Sequence, residues 1–363
     1  MIVGVPKEIK QDEYRAAITP AGVDVLARAG HKVLIETNAG TESGITDEGY
    51  RAAGATIVDT HAAVFAGADL IVKVKEPLEP EYGLFRPGQC LFTYLHLAAD
   101  RKLTDALLKS KVFGIGYETV ELPDNIKPLL TPMSEIAGRM SVQEGAKYLE
   151  RPQEGKGILL GGVPGVGPAN VLIFGGGVVG TYAARVAAAL GARVTVLDVN
   201  LARLQYLADI LPQNVTTIAS NPYTVREQIQ EADLLIGAIL LTGARAPRLV
   251  TREMLKTMRR RSVIVDVAID QGGCFETSRP TTHTHPVFVE EAQVHYCVTN
   301  MPGAVPRTAT YGLTNSTLPY ILALANLGPA QAVQADESLA KGVNVRDGAI
   351  VHAAVRSAFE NAA

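Results

Sequence analysis

The sequence of 363 residues contains no tryptophan, few cysteines and little net charge. The cysteines, Cys90, Cys274 and Cys297, are far apart and form no CxxC pair, so we expect neither a disulfide framework nor a thiolate metal site. This use of cysteine is typical of a reducing compartment, and we expect a cytoplasmic protein. A formal net charge of −3 argues against a surface that binds nucleic acid.

Membrane association is not expected either. The run from Gly157 to Ala184 is uncharged and long enough to span a bilayer. However, Pro164, Pro168 and several glycines would leave backbone groups unpaired in lipid, so we interpret the run as a loop, a strand and a phosphate-binding loop. The segment MIVGVPKEIK at the start lacks the sections of a signal peptide, so export is not expected.

The chain is longer than a single hydrophobic core normally grows, which predicts two domains. Its first third alternates strand-like segments with helical ones such as residues 19–30, where Thr19 is the expected N-cap and Pro20 the first helical residue. The strand-like segments are KVLIE, ADLIVKVKE, CLFTYLH and VFGIGYETV. This alternation predicts an α/β fold with a mostly parallel sheet.

A second α/β unit is predicted after a helix at residues 133–150, with Ser134 as its N-cap. Its strand-like segments are NVLIFG, RVTVLDV, ADLLIGAI, RSVIVDVAI and VHYCVTN. The tail from Gly312 onward is mainly helical and too short to form a core of its own. We therefore expect the tail to pack on the first domain, which would make that domain discontinuous.

A glycine motif marks the second unit as a dinucleotide-binding domain. The strand NVLIF leads into Gly175-x-Gly177-x-x-Gly180, and an alanine-rich helix follows. The first glycine permits a tight turn, the second allows the backbone to approach a pyrophosphate, and the third allows helix and strand to pack closely. The next strand ends at Asp198, where a carboxylate binds the adenosine ribose and repels a 2′-phosphate. We therefore expect NAD rather than NADP.

Two other features of the second unit are open to two interpretations each. Arg203, which follows Asp198, either stacks on adenine or forms a solvated surface ion pair. His283 and His285 have the HxH spacing of metal ligands, but no acid or cysteine cluster accompanies them, so no metal is expected.

Five charged or titratable positions suggest a small substrate with a carboxylate. Arg15 could bind that carboxylate or form a surface salt bridge, and Lys75, with Lys73 on the same strand face, could bind substrate or protect an edge strand. His96, in the apolar strand LFTYLHLAAD, is either a core histidine or a proton carrier. Asp270 follows SVIVDVAI, at the strand end where ligands bind in doubly wound sheets, or it is a turn residue before two glycines.

Together, these residues and several longer motifs resemble the alanine dehydrogenase family along nearly the whole length of the sequence. The resemblance rests on several blocks in order: EYRAAITP, LIVKVKEP, LFTYLHLA, TPMSEIAGRMSVQEGAKYLE, GGVPGVGPANVLIFGGGVVG, DVAIDQGGCFETSRPTTH and TNMPGAVPRTAT. It implies the reversible, NAD-dependent oxidative deamination of L-alanine to pyruvate and ammonium. It further implies that Arg15 and Lys75 bind the substrate and that His96 and Asp270 are the catalytic pair.

The resemblance also implies a fold and a cofactor site. It implies two Rossmann-like, doubly wound domains with a cleft between them, namely a substrate domain at 1–133 plus 307–363 and an NAD domain at 134–306, assembled as a homohexamer. Besides the three glycines, the implied cofactor-binding residues are Ser134, Val178, Val179, Asp198, Arg203, Ser220, Ile239, Leu240, Val267, Ala268, Ile269, Asp270, Arg279, Val298, Thr299, Asn300 and Met301.

Two alternative functions remain open at this point. The NAD-binding subunit of proton-translocating transhydrogenase resembles the same fold, but the pairing of His96 with Asp270 and the lack of a credible membrane span favour the dehydrogenase. A catalytically silent NAD-binding regulator is less favoured, because such a protein would not need Arg15, Lys75, His96 and Asp270 together.

Overall fold

The structure is a computed structural model that describes residues 1–239 and 247–360. The chain forms two compact units, the first built from residues 1–133 and 303–363 and the second from residues 134–302. The domain limits predicted from the sequence have the same first boundary, whereas their second boundary was placed between residues 306 and 307.

The strands are short, and most are apolar. In chain order they are β1 Ile2–Val5, β2 Lys32–Glu36, β3 Thr56–Val58, β4 Leu70–Val72, β5 Cys90–Thr93, β6 Phe113–Gly116, β7 Asn170–Phe174, β8 Arg193–Asp198, β9 Val215–Ala219, β10 Leu234–Gly237, β11 Val263–Asp266, β12 Val287–Glu290, β13 Gln293–Tyr296, β14 Val343–Arg346 and β15 Ala349–Ile350.

Helices follow most of the strands. In chain order they are α1 Pro20–Arg28, α2 Asp47–Ala52, α3 His61–Gly67, α4 Arg101–Ser110, α5 Thr131–Tyr148, α6 Val178–Ala189, α7 Leu201–Ile210, α8 Pro222–Glu231, α9 Arg252–Leu255, α10 Pro306–Leu327, α11 Pro329–Ala335, α12 Glu337–Lys341 and α13 Ala353–Glu360. Short 3₁₀ turns include Glu79–Leu84, Tyr117–Thr119 and Val267–Gln271.

The first unit contains a sheet in the order β15-β14-β6-β5-β4-β1-β2-β3. Strands β1 to β6 pair in parallel, and β14 pairs antiparallel with β6 and with β15. The chain proceeds outward from β1 to β3 and then returns to the other side of β1 with β4. This reversal creates a topological switch point between β1 and β4, where ligands bind in doubly wound sheets.

The second unit contains a sheet in the order β12-β13-β11-β10-β7-β8-β9, which is parallel except for the pairing of β12 with β13. Its order reverses between β7 and β10, so the glycine motif after β7 lies at the switch point. Strands β10 and β11 are buried along their whole length, which explains why they read as continuous apolar runs. The expected fold class, with a discontinuous first unit, is confirmed.

Several local predictions are wrong. Strand β4 ends at Val72, before both lysines, and it lies between β1 and β5, so the lysines do not protect an edge strand. His96 follows β5 and is exposed, so it is not a core histidine. Ser134 lies inside α5, and so it does not cap that helix. The tail, in contrast, is mainly helical and packs on the first unit, as expected, and it also adds β14 and β15 to the first sheet.

The described helices include none that combines the length and the apolar character needed to cross a bilayer. The uncharged run that begins at Gly157 forms a loop, then β7, the glycine turn and the start of α6, as predicted.

Candidate active site

Three candidate substrate residues of the first unit lie near one aromatic ring. The amine of Lys75 lies 6.0 Å from the centre of the Tyr94 ring, and the His96 imidazole stacks on the same ring at a centroid distance of 5.8 Å. Arg15 interacts electrostatically with both Tyr94 and Lys75. The structure therefore brings together Arg15, Lys75 and His96, which are far apart in the sequence, at the carboxyl edge of the first sheet.

Arg15 is buried rather than on the surface, with 2% of its area exposed. Its Nε donates to Glu13 Oε1 at 2.6 Å, and its Nη2 donates to the other oxygen of the same carboxylate. Its Nη1 donates to the sulfur of Met133 at 3.0 Å. The guanidinium plane is thus fixed by a bidentate ion pair, which leaves the surface salt bridge considered above without support.

Lys75 is fixed through its backbone. Its carbonyl accepts a hydrogen bond from Thr93 Oγ1 at 2.9 Å, and its amide donates to Glu8 Oε1 at 3.4 Å. Burial lowers the pKa of Lys75, and the neighbouring Arg15 cation lowers it further. The Lys75 amine is therefore easier to deprotonate than an exposed lysine, and a negatively charged ligand would restore its protonation.

His96 adopts a left-handed backbone conformation, with φ 49° and ψ 33°. Few residues other than glycine occupy this region without a compensating contact. The carboxylate of Glu118 supplies that contact, because it accepts the His96 N–H at 2.7 Å and the Leu95 N–H at 3.1 Å. The two hydrogen bonds fix the direction in which the exposed imidazole projects.

The glycine motif of the second unit has the geometry that a dinucleotide requires. Gly175 has φ 99°, and a Cβ at Gly180 would lie 1.8 Å from the Gly175 carbonyl oxygen. A Cβ at Gly177 would meet no atom within 4 Å, so the space above this peptide is open. The loop therefore leaves room for a pyrophosphate against the N-terminus of α6, which begins at Val178.

Asp198 and Arg203 stabilise the glycine loop directly. Asp198 accepts the Gly176 N–H at 2.6 Å and the Asn200 N–H at 2.8 Å. Arg203 Nε donates to the Gly176 carbonyl at 2.6 Å, and its Nη2 donates to Thr181 Oγ1 at 2.8 Å. Arg203 is therefore not a solvated ion pair. Each Asp198 oxygen retains a second lone pair, which a ribose hydroxyl could use.

The other candidate cofactor residues of the second unit lie in or beside loops at the carboxyl edge of its sheet. Ser220 follows β9 and donates its N–H to the Asp198 carbonyl at 2.9 Å. The Arg279 guanidinium lies 4.2 Å from the centre of the Phe288 ring. The remaining ones flank the same edge or start a helix: Ser134, Val178, Val179, Ile239, Val267, Ala268, Ile269, Val298, Thr299, Asn300 and Met301. Leu240 lies outside the described residues.

Asp270 lies exposed in the 3₁₀ turn Val267–Gln271, one turn beyond the end of β11. The turn is fixed by Asp266, which accepts hydrogen bonds from Ala268 N at 3.1 Å, Cys274 N at 2.8 Å and Ser278 Oγ at 2.6 Å. Burial raises the pKa of Asp266 to about 6, although these three donors oppose the rise. The position of Asp270 therefore depends on a buried carboxylate four residues before it.

Among residues 1–239 and 247–360, no group of three or more histidine, cysteine, aspartate or glutamate side chains is arranged to bind a metal ion. The three cysteines are free and buried.

Family models match most of the chain. Residues 4–137 match the alanine dehydrogenase/PNT N-terminal domain, and residues 141–353 match the alanine dehydrogenase/PNT C-terminal domain. The chain belongs to the alanine dehydrogenase/PNT family. The resemblance read from the sequence motifs is thereby confirmed, as are an NAD-dependent oxidoreductase and its NAD cofactor.

Relatives that share more than half of their aligned residues with this chain include alanine dehydrogenases. The chain is 57% identical to an alanine dehydrogenase of Methanococcus maripaludis and 53% identical to alanine dehydrogenase 2 of Staphylococcus aureus, each over 99% of this chain and 97% of the relative. A solved L-alanine dehydrogenase superposes with a TM-score of 0.97 at 53% identity, with complete coverage of both chains. A transhydrogenase from Sinorhizobium meliloti superposes with a TM-score of 0.83 at 26% identity, over 98% of this chain and all of that one.

Sequence reasoning missed the carboxylates that fix this alanine dehydrogenase/PNT site. Glu13 lies two residues before Arg15, and this short spacing alone indicates that the two side chains can form an ion pair. Glu118 follows β6, and β6 is the parallel neighbour of β5, whose end precedes His96. Because the carboxyl ends of neighbouring parallel strands lie side by side, the strand order would have indicated this contact. No sequence pattern indicates that Asp266 fixes the following turn, apart from its position at the end of β11.

Replacing Asp198 by asparagine should narrow the preference for NAD over NADP. Asparagine keeps one acceptor oxygen for the loop but removes the charge that repels a 2′-phosphate, so we expect the NAD-to-NADP ratio of kcat/KM to fall about tenfold. Asp209→Asn, an exposed position on the next helix, is the matched control and should leave the ratio unchanged. Equal use of NAD and NADP by the unmodified protein would contradict this interpretation of Asp198.

Proposed function

We propose that this protein catalyses the reversible, NAD-dependent oxidative deamination of L-alanine to pyruvate and ammonium. The observation that carries the proposal is the grouping of a fixed guanidinium, a half-buried amine and an exposed imidazole around Tyr94, in a chain that also has a dinucleotide loop. These groups match the parts of an amino or oxo acid, which carries a carboxylate, an α-substituent that gains or loses charge, and a centre that exchanges protons.

Arg15 is assigned to the substrate carboxylate. Its guanidinium is already oriented by Glu13, so little side-chain entropy remains to be lost when a carboxylate binds. Burial of the pair excludes water, which strengthens each charge-assisted hydrogen bond made there.

Lys75 is assigned to the oxygen of pyruvate. A protonated amine that donates to the carbonyl oxygen withdraws electron density from the carbon, and this favours addition at that carbon in the direction of alanine synthesis. The low dielectric that lowers the pKa of Lys75 also increases the strength of this interaction.

His96 and Asp270 are assigned to proton transfer. When NAD is bound, it supplies an acceptor for the hydride of the alanine α-carbon. Water then adds to the resulting iminium, and ammonium leaves as the carbonyl forms, so protons must be removed and returned at near-neutral pH. An imidazole suits that role, and the backbone hydrogen bonds that Glu118 accepts from Leu95 and His96 direct it. Asp270 is assigned either to the ammonium group or to the attacking water.

The assembly and the location of the protein are part of the same proposal. Family resemblance supports a homohexamer, a substrate role for the first unit and a cofactor role for the second. Three free, buried cysteines suit a reducing cytoplasm. Small-molecule substrates are the proposed partners, rather than nucleic acid or a membrane.

The proposed activity predicts a clear substrate order. With NAD and a panel of L-alanine, L-serine, glycine and L-lysine, the absorbance of reduced nicotinamide should rise fastest with L-alanine. Pyruvate, ammonium and NADH should give the reverse reaction. Equal rates across the panel, or no rate with any member, would remove the alanine assignment.

The role of His96 is tested by His96→Asn. Asparagine tolerates the left-handed backbone better than most residues, so the variant should fold and bind NAD as before. Turnover should fall by about 10² to 10⁴ because the proton carrier is lost. His285→Asn, the same change at an exposed histidine, is the control. Melting temperature, NAD affinity and single-turnover rate are measured on one preparation, and near-normal turnover per folded molecule would return His96 to a structural role.

A further inference from the structure

Five charged side chains form a continuous series of ion pairs next to the segment that carries Lys75. We call the set Glu8, Glu36, His61, Lys73 and Glu81 the buried charge network. His61 bridges Glu36 at 2.7 Å and Glu81 at 3.0 Å. Lys73 bridges Glu81 at 2.8 Å and Glu8 at 3.2 Å. The network thus runs without interruption from the end of β2 to the segment after β1.

Stability alone is a poor reason for such a network. Lys73 and Glu81 are fully buried, and 8% of Glu8 is exposed, so each charge has lost most of its hydration. A buried ion pair commonly contributes no more to stability than well-packed apolar side chains of the same size would. An apolar residue at position 73 would continue the buried apolar strand Leu70–Val72, yet the chain has a lysine there. The position of its charge therefore calls for another explanation.

Glu8 connects the network to the substrate site. Its Oε2 pairs with Lys73, whereas its Oε1 accepts the Val74 N–H at 2.6 Å and the Lys75 N–H at 3.4 Å. The carboxylate therefore fixes the peptide that carries Lys75, while Thr93 fixes the Lys75 carbonyl from the other side. Both ends of the residue are restrained by side chains of the neighbouring strand segments.

We propose that Glu8 is a positioning residue: one of its carboxylate oxygens fixes the peptide that carries Lys75 for the substrate, while the other pairs with Lys73. The inference rests on the proposed function insofar as Lys75 binds substrate.

The charges of the network fit this role. Burial raises the pKa of Glu8, and the Lys73 cation opposes that rise. A protonated Glu8 would accept the two peptide N–H groups less strongly, because hydrogen bonds to an ionised acceptor are about twice as strong. Lys73 is itself kept charged by Glu8 and Glu81, whose influence outweighs burial and raises its pKa. Glu81 in turn pairs with His61, whose pKa rises to about 9 despite burial because of Glu36 and Glu81.

The test separates the acceptor oxygen of Glu8 from its charge. Glu8→Ala removes both, so kcat/KM for pyruvate should fall about tenfold to hundredfold while NADH affinity is unchanged. Glu8→Gln keeps an acceptor but places an amide against the Lys73 amine, so the double variant Glu8→Gln with Lys73→Met should recover most of the loss. A double variant that is no better than Glu8→Ala would overturn the proposal.

Asp233→Ala is the matched control for general destabilisation. Asp233 is a buried carboxylate that pairs with Lys156 and accepts the Asn170 N–H at 2.9 Å, so its chemistry resembles that of Glu8. It lies in the second unit at the start of β10, away from the carboxyl edge of that sheet. The melting temperature of this variant should fall, whereas its kcat/KM for pyruvate per folded molecule should not change. If Glu8→Ala behaves in the same way, Glu8 is merely structural.

A second measurement does not require turnover. Lysine labelled with ¹³C at Cε is incorporated, and the Lys75 resonance is assigned by its loss in Lys75→Arg. Lys75 faces Arg15 and Lys10, which lower its pKa, and Glu76 and Glu13, which raise it. In Glu8→Ala the resonance should titrate closer to an ordinary lysine because the released peptide lets the amine reach solvent, whereas Asp233→Ala should not change it.

The two measurements distinguish failure of the inference from failure of the proposed function. If the unmodified protein turns over no amino acid, the proposed function is wrong, and the Lys75 titration still decides whether Glu8 positions the amine. An unchanged Lys75 resonance in Glu8→Ala overturns the inference, whatever the activity.

Discussion

Four carboxylates that accept peptide N–H groups determine the geometry of the loops at the carboxyl edges of both sheets. Each follows or ends a parallel strand. Glu8, Glu118 and Asp198 each bind the loop that follows the neighbouring strand, at Val74, His96 and Gly176 respectively. The fourth, Asp266, binds its own loop at Cys274. Without these contacts, the loops that carry Lys75, His96, the glycine motif and Asp270 would have few internal restraints.

This arrangement follows from the geometry of a parallel sheet. Neighbouring strands lie about 4.8 Å apart, so the residues after two adjacent strand ends are within reach of one carboxylate side chain. A carboxylate has several lone pairs, and each hydrogen bond to it is charge-assisted, so one side chain can fix two or three peptides. Loops fixed in this way need little reorganisation when a substrate binds, which is the condition for effective electrostatic stabilisation.

The sequence predicted what depends on local pattern. The glycine motif with Asp198, the helix that begins at Pro20 and the alternation of strands with helices were all read correctly, because their signals lie within a few residues. The segments VTTIA and VNVR were not identified as β9 and β14. VTTIA lacks strict apolar alternation, and VNVR alternates but is only four residues long. β14 joins its sheet only through pairing with the distant β6.

The roles of most buried charges depended on contacts between residues that are distant in the sequence. Arg15 was open to a substrate role or a surface ion pair, and its contacts with Glu13 and Met133 show that it is buried. An edge-strand role was also open for Lys73, and the neighbouring β5 excludes it. Nothing in the local sequence marks Tyr94 as the common neighbour of Lys75 and His96. For Lys73 and Tyr94 the information lies in strand order, which is a property of the whole unit, whereas Glu13 is only two residues from Arg15.

Hydride transfer from the α-carbon of alanine to NAD can be followed with L-alanine deuterated at Cα. A direct transfer predicts one deuterium atom in each reduced nicotinamide formed and none released to water, as measured by mass spectrometry of the cofactor. Deuterium that appears in water while the reduced cofactor carries only protium would contradict direct hydride transfer, because it would show that the α-hydrogen leaves as a proton.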